Sequence, residues 1–262
     1  MKKITLLLMA MLMIMPSALE ARKKDRTETE IVAHRGFWNC EEAGYAKNSI
    51  AALRCAQEAG FWGSEFDVNM TADSVLIVFH DGEIDGKKIE FHPYSEFKDI
   101  RIANGERIPT IDEYLAQGKK YPQTKLVYEL KTLSCPEAED TFVNLAVANL
   151  AENGLLYPDR VMFISFSLHM CRRLAEMLPG YTVQYLNATH SPDELDQLGI
   201  NGIDLNHTDF AKHPEWYRQA RRNKMSINAW TVNKKEDMIR MIELGVDQLT
   251  TDYPIEAREL VK

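Results

Sequence analysis

Two carboxylates two residues apart, Glu65 and Asp67, and a carboxylate two residues before a lysine, Glu129 and Lys131, stand in short apolar runs of this chain. Side chains alternate between faces along a β-strand, so each pair shares a face. Phe66, Val68, Tyr128 and Leu130 take the other, which turns the charged members toward an interior. Three carboxylates converging there repel one another and lose hydration; a hard divalent cation offsets both costs. Oxygen-only ligands favour Mg²⁺ or Ca²⁺ over zinc, which prefers His or Cys. The other use of the same groups is an ion pair, Glu65 or Glu129 with Lys131 or Arg35, that holds one rim together.

Histidines end two further runs, His34 and His80, each followed by a charged residue, Arg35 and Asp81. Imidazoles titrate near neutral pH, so a pair beside a metal can serve as base and acid on either side of a scissile bond. Arg35 and Lys131 supply the positive charge that a phosphate needs. The chemistry that uses all of these groups is phosphoester cleavage, in which cations stabilise charge on phosphoryl oxygens and histidines move protons.

Positioning them requires elements that end at one place. Nine β-rich runs are legible: 31–34, 63–68, 75–80, 125–131, 161–166, 182–186, 202–205, 226–232 and 247–251. Helical patterns alternate with them at 48–59, 111–119, 137–153, 168–177, 192–198, 214–222 and 234–244. Alternating β and α with apolar strands predicts a parallel sheet covered by helices. Only residues 69–74 separate the second run from the third, too few for a parallel crossover, so these two form a hairpin. Eight strands remain, which is a TIM (β/α)8 barrel with an extra β-hairpin after strand two. An open doubly wound sheet would need a Gly-rich phosphate loop after its first strand, and none is there. Residues 82–108 read as a small charged insertion over the rim. In a barrel the carboxyl ends of the strands carry the site, and the reactive residues sit at those ends.

The chain has 262 residues, enough for one such barrel, and a formal net charge of -8. That acidity argues against a nucleic-acid partner, whose phosphates need a basic surface. Lys2 and Lys3, the apolar run from Leu6 to Met15, and the small residues Ser17, Ala18 and Ala21 predict a signal peptide over residues 1–21. Residues 22–262 are then a single catalytic domain, exported to the periplasm or beyond the cell, without a stable membrane anchor. Cys55 and Cys171 lie in helical patterns as buried fillers; Cys40 and Cys135 lie in loops and are the better candidates for a disulfide.

His34-Arg35-Gly36, Asn48-Ser49, Glu65-x-Asp67, His80-Asp81, Glu129-x-Lys131, Trp230-Thr231-Val232-Asn233, Gly245-Val246-Asp247 and Thr251-Asp252-Tyr253-Pro254 occur in this order. The set resembles the glycerophosphodiester phosphodiesterase family from about residue 31 to 254. The resemblance implies a TIM-barrel enzyme hydrolysing small glycerophosphodiesters to glycerol 3-phosphate and an alcohol. It also implies that Glu65, Asp67 and Glu129 are metal ligands, His34 and His80 base and acid, and Arg35 and Lys131 phosphate contacts. Trp230 could pack on a glycerol face, Phe37 and Trp38 could wall the leaving group, and Asn206 and His207 are further pocket candidates. Lys47 and Asp73-Ser74 depart from the family's usual acidic residue and Asp-Gly. Other outcomes compatible with the residues are a different head group such as glycerophosphoinositol, a cyclic-phosphate product, or a barrel that binds phosphate ligands without turnover.

Overall fold

A computed structural model describes residues 28–261 of the chain. The expected signal peptide at residues 1–21 lies outside the described residues. Eight parallel strands form the barrel: β1 (Glu30–Ala33), β2 (Gly63–Met70), β6 (Lys125–Leu130), β7 (Val161–Ser165), β8 (Val183–Tyr185), β9 (Gly202–Asn206), β10 (Ser226–Trp230) and β11 (Gln248–Thr251). Each pairs with its neighbour, and β1 closes the circle by pairing with both β2 and β11. The ninth run is β3 (Leu76–Val78), which turns back antiparallel on β2, with Val68 opposite Val78. In the turn between them Ser74 adopts φ 64°, a left-handed conformation that the usual glycine would reach without strain.

Helices α1 (Ile50–Glu58), α2 (Ile111–Gly118), α3 (Pro136–Glu152), α4 (Leu168–Met177), α5 (Pro192–Gln197), α6 (Asp209–Lys212), α7 (Trp216–Arg222), α8 (Lys235–Leu244) and α9 (Pro254–Val261) surround the strands. Their starts follow local chemistry. Ser49 and Ser167 cap α1 and α4, while Thr110 with Glu113 and Ser191 with Glu194 form capping boxes on α2 and α5. Gly245 ends α8 at φ 87°. Two elements exceed the sequence expectation: the single turn α6, and α9, whose Pro254 at the first helical position was a readable start signal.

The alternation expected for β2 and β6 is what divides the interior. Phe66, Val68, Tyr128 and Leu130 join the large apolar layer between strands and helices. Inside the barrel, Val32, Val127, Met162, Ile164 and Leu186 make a separate small core. Trp62 and Trp230 pack against it. That interior core is a floor, and the charged residues stand above it at the carboxyl ends. The insertion contains β4 (Glu83–Ile84) paired with β5 (Lys87–Lys88) and has its own apolar cluster of Ile77, Ile84, Ile89, Phe97 and Ile108. Glu90 ties it to the barrel by accepting from the backbone amide and hydroxyl of Ser134, after β6.

All four cysteines are free thiols. Cys55 and Cys171 are buried as expected, but the thiol that meets Cys40 is that of Cys55 on α1, not Cys135. Arg221, in the last turn of α7, is an anchor, pairing through Nη1 with both carboxylate oxygens of Asp247 at 2.8 Å. No helix among the described residues is long and apolar enough to cross a membrane.

Candidate active site

The turn after β1 brings the first groups in. Arg35 and Gly36 both take left-handed φ, and a Cβ on Gly36 would meet the Ala52 backbone carbon at 2.7 Å, so only glycine lets α1 pack this closely. The turned Arg35 backbone amide donates to Glu65 Oε2 at 2.7 Å. Asn48, also left-handed, clamps Asp67 from two sides: its side-chain amide donates to Asp67 Oδ2 at 2.8 Å, and its Oδ1 accepts the Asp67 backbone amide at 3.1 Å.

Glu65, Asp67 and Glu129 are buried, and one oxygen from each lies within 4.8 Å of the others. Lys131 reaches across them, 2.7 Å from Glu129 Oε1 and 3.2 Å from Asp67 Oδ1, and Arg35 Nε stands 3.5 Å from Asp67 Oδ2. The ion-pair reading and the converging carboxylates therefore coexist. The balance between them is unfinished. Burial, then the charges of Asp67 and Glu129, pushes the Glu65 carboxyl well above the ordinary carboxylate range. Burial and Asp67 push Glu129 up to about 7 despite Lys131. Asp67 moves the other way: burial opposes its ionisation, but Lys131, His80, Asn48 and Arg35 outweigh it. Glu65 Oε1 is buried with no hydrogen-bond partner. An oxygen-only triad whose Glu65 and Glu129 stay raised despite Lys131 and Arg35, and which leaves one oxygen unmatched, fits a hard divalent cation.

His34 follows β1, the strand next to β2. Its Nδ1 is 2.8 Å from Asp252 Oδ1. Asp252 also accepts from Trp38 Nε1 at 3.0 Å and Asn233 Nδ2 at 2.7 Å. Burial opposes the Asp252 charge, yet His34 together with Trp38 and Asn233 holds its carboxyl far below the ordinary range. An ionised carboxylate only accepts, so Nδ1 carries the proton and Nε2 keeps its lone pair. His80 Nδ1 is 2.7 Å from Asp81 Oδ1. Burial lowers the His80 pKa, with Lys131 and Arg35 adding to the effect and Asp67 and Asp81 opposing it. The backbone on both sides of His80 is tethered by one side chain, since Asn69 Nδ2 donates to the carbonyls of Phe79 at 2.7 Å and Asp81 at 3.2 Å.

A cavity of about 130 Å³ joins these groups, lined by His34, Arg35, His80, Lys131, the acidic triad and Trp230, together with Asp204 and Thr250. The eight residues named from the sequence as base and acid, phosphate contacts, metal ligands or glycerol platform all border it. Trp38 instead supports Asp252, with Lys47 Nζ 4.5 Å above its ring, and Phe37 packs edge-on against Phe61. Asn206 caps Thr208 and His207 faces Arg240, so neither of these two candidates lines the cavity. The insertion contributes no lining residue either. Sequence reasoning passed over Asn69 and Asp204, and it gave no role to Asn48, Asn233 and Asp252, which it named only within motifs.

Residues 34–256 match the Glycerophosphoryl diester phosphodiesterase family. A glycerophosphodiester phosphodiesterase of Caldanaerobacter subterraneus subsp. tengcongensis is 27% identical over 253 residues, covering 90% of this chain and 98% of the relative. A solved glycerophosphodiester phosphodiesterase from Parabacteroides distasonis is 39% identical with TM-score 0.86, covering 90% of this chain and 98% of that one. An Oleispira antarctica phosphodiesterase, solved in complex with the product sn-glycerol-3-phosphate, shares the fold at TM-score 0.74 and 22% identity, covering 88% and 96%.

Proposed function

The chain belongs to the glycerophosphoryl diester phosphodiesterase family, and from that membership we propose a cation-assisted hydrolysis of glycerophosphodiesters in which His34 and His80 move the protons. It is a phosphodiesterase by family. The observation that carries the finer reading is the meeting, around one cavity, of the acidic triad, two cationic side chains and two aspartate-bound histidines.

In this reading His34 Nε2 takes the proton from the attacking hydroxyl, and the resulting imidazolium is stabilised by the Asp252 carboxylate. The attacking oxygen bonds to phosphorus, the P–O bond to the alcohol breaks, and His80 delivers its proton to the departing alkoxide. Its lowered pKa makes the His80 imidazolium a stronger acid. Arg35 and Lys131 offset charge on the non-bridging phosphate oxygens. Glu65, Asp67 and Glu129 would hold Mg²⁺ or Ca²⁺, which supplies Lewis-acid stabilisation of phosphoryl charge. Water as the attacking group gives glycerol 3-phosphate directly, while the glycerol secondary hydroxyl gives a cyclic phosphate that water then opens. The product seen in the Oleispira antarctica phosphodiesterase is consistent with this end point. The charged, apolar and small-residue order of residues 1–21 supports an exported enzyme, periplasmic or extracellular.

The test is to incubate the purified protein with glycerophosphocholine, glycerophosphoethanolamine and glycerophosphoinositol and to measure released glycerol 3-phosphate. Turnover that EDTA abolishes and Mg²⁺ or Ca²⁺ restores supports the proposal. Absence of turnover on every diester with either cation present contradicts it and favours a binding barrel.

A further inference from the structure

Asp204 is the one carboxyl lining the cavity to which neither the triad nor the histidines give a role. It stands on β9 beside Asn228 of β10 and is only 1% exposed. Its Oδ1 is buried and has no hydrogen-bond partner. The backbone around it is fixed from above, since Trp230 Nε1 donates to the Asp204 carbonyl at 3.0 Å. Asn228 hydrogen-bonds the Asp204 carboxyl, whereas the apolar floor residues Ile164 and Leu186, its companions in the cavity wall, offer nothing to Oδ1. An unmatched buried polar group is costly, and here it faces a space that a ligand enters.

We propose that Asp204 is a specificity-determining residue that holds the terminal hydroxyl of the substrate glycerol at the floor of the cavity. The inference rests on the glycerophosphodiesterase reading. A diester whose phosphate meets Arg35 and Lys131 can extend its glycerol along the same cavity to Asp204, because all three residues line it. The secondary hydroxyl is then adjacent to the phosphoester, and the terminal one reaches farthest from it, where Asp204 stands. A carboxyl is matched to it whether charged, when it accepts, or neutral, when it both donates and accepts. Burial and the Glu129 charge push the Asp204 pKa well up, toward the neutral form.

The experiment compares kcat/KM for glycerophosphocholine with that for 2-hydroxypropyl phosphocholine, which lacks only the terminal hydroxyl, in wild type, Asp204→Leu and Asp204→Asn. Wild type is expected to prefer the glycerol diester by about 10- to 100-fold. Asp204→Leu should bring that preference to within about threefold of unity, and Asp204→Asn should keep part of it, because an amide still donates and accepts. The thermal midpoint of Asp204→Leu should stay within about a few degrees of wild type, since leucine removes the unmatched Oδ1 together with the Asn228 hydrogen bond. Asp204→Ala makes the same comparison should leucine fail to pack. A wild-type preference that survives in Asp204→Leu or Asp204→Ala, or a wild type that treats both diesters alike, overturns this inference alone. A wild type that hydrolyses neither overturns the phosphodiesterase reading and this inference with it.

Discussion

His34 and His80 each bind an aspartate through Nδ1, at 2.8 and 2.7 Å, but in different surroundings. The His34 and Asp252 side chains are 15% and 16% exposed, and Asp252 is itself gripped by Trp38 and Asn233. The His80 and Asp81 side chains are 40% and 68% exposed, and Asp81 leads out into the insertion. On the first wall a half-buried network fixes tautomer and ring orientation through the side chain. On the second, Asn69 fixes the backbone and leaves the imidazole near solvent. The difference suits unequal tasks: a base must be held in one tautomer, whereas an acid beside a variable leaving alcohol must be replenished with protons from water.

The sharpest way to break this contrast is to compare the two aspartates. His34→Ala and Asp252→Asn should each lower kcat by about 10²–10⁴-fold, the amide by favouring the wrong imidazole tautomer. Steady-state rates with circular dichroism as a fold check measure this. Asn69→Ala should come next, at about 10- to 100-fold in kcat, because displacing a reacting group by about 1 Å costs on that order. Asp81→Asn should cost less than about 10-fold, its ion pair being solvent-screened. Equal losses for Asp252→Asn and Asp81→Asn would erase the distinction between the walls.

A smaller effect concerns stability. Folded-state pKa values of Glu65 and Glu129 are raised, so the folded chain binds more protons than the unfolded one. Their contribution to stability is therefore present in full below the ordinary value of 4.5 and is lost as pH rises, for Glu129 through about 7. The thermal midpoint of metal-free protein should fall by a few degrees across this window, and Ca²⁺ or Mg²⁺ should raise it most at the upper end. A midpoint insensitive to pH would mean that the triad is already balanced by Lys131 and Arg35.

Much of this was legible along the chain. The alternation of Glu65-Phe66-Asp67 and Tyr128-Glu129-Leu130 told which side chains face inward, because strands covered by helices must bury one apolar face. The six-residue gap before Val75 identified the hairpin, since chain length alone forbids a crossover. What stayed hidden was long-range or unaccompanied. Asp252 meets His34 across 218 positions, a contact created only when β11 pairs with β1. Asn48 and Asn69 act through backbone geometry, which residue type does not disclose. Asp204 sits in a short apolar run, Gly202 to Leu205, where the period-two alternation places it opposite Ile203 and Leu205 and so inward, but no second charged residue on that strand marks it.

Calorimetric titration of Ca²⁺ or Mg²⁺ into metal-free wild type and Glu65→Gln bears most directly on the acidic triad. A single site in the wild type, weakened by at least about tenfold when the unmatched Glu65 oxygen loses its charge, is the predicted result. No binding to the wild type, or identical binding to the variant, would contradict the account.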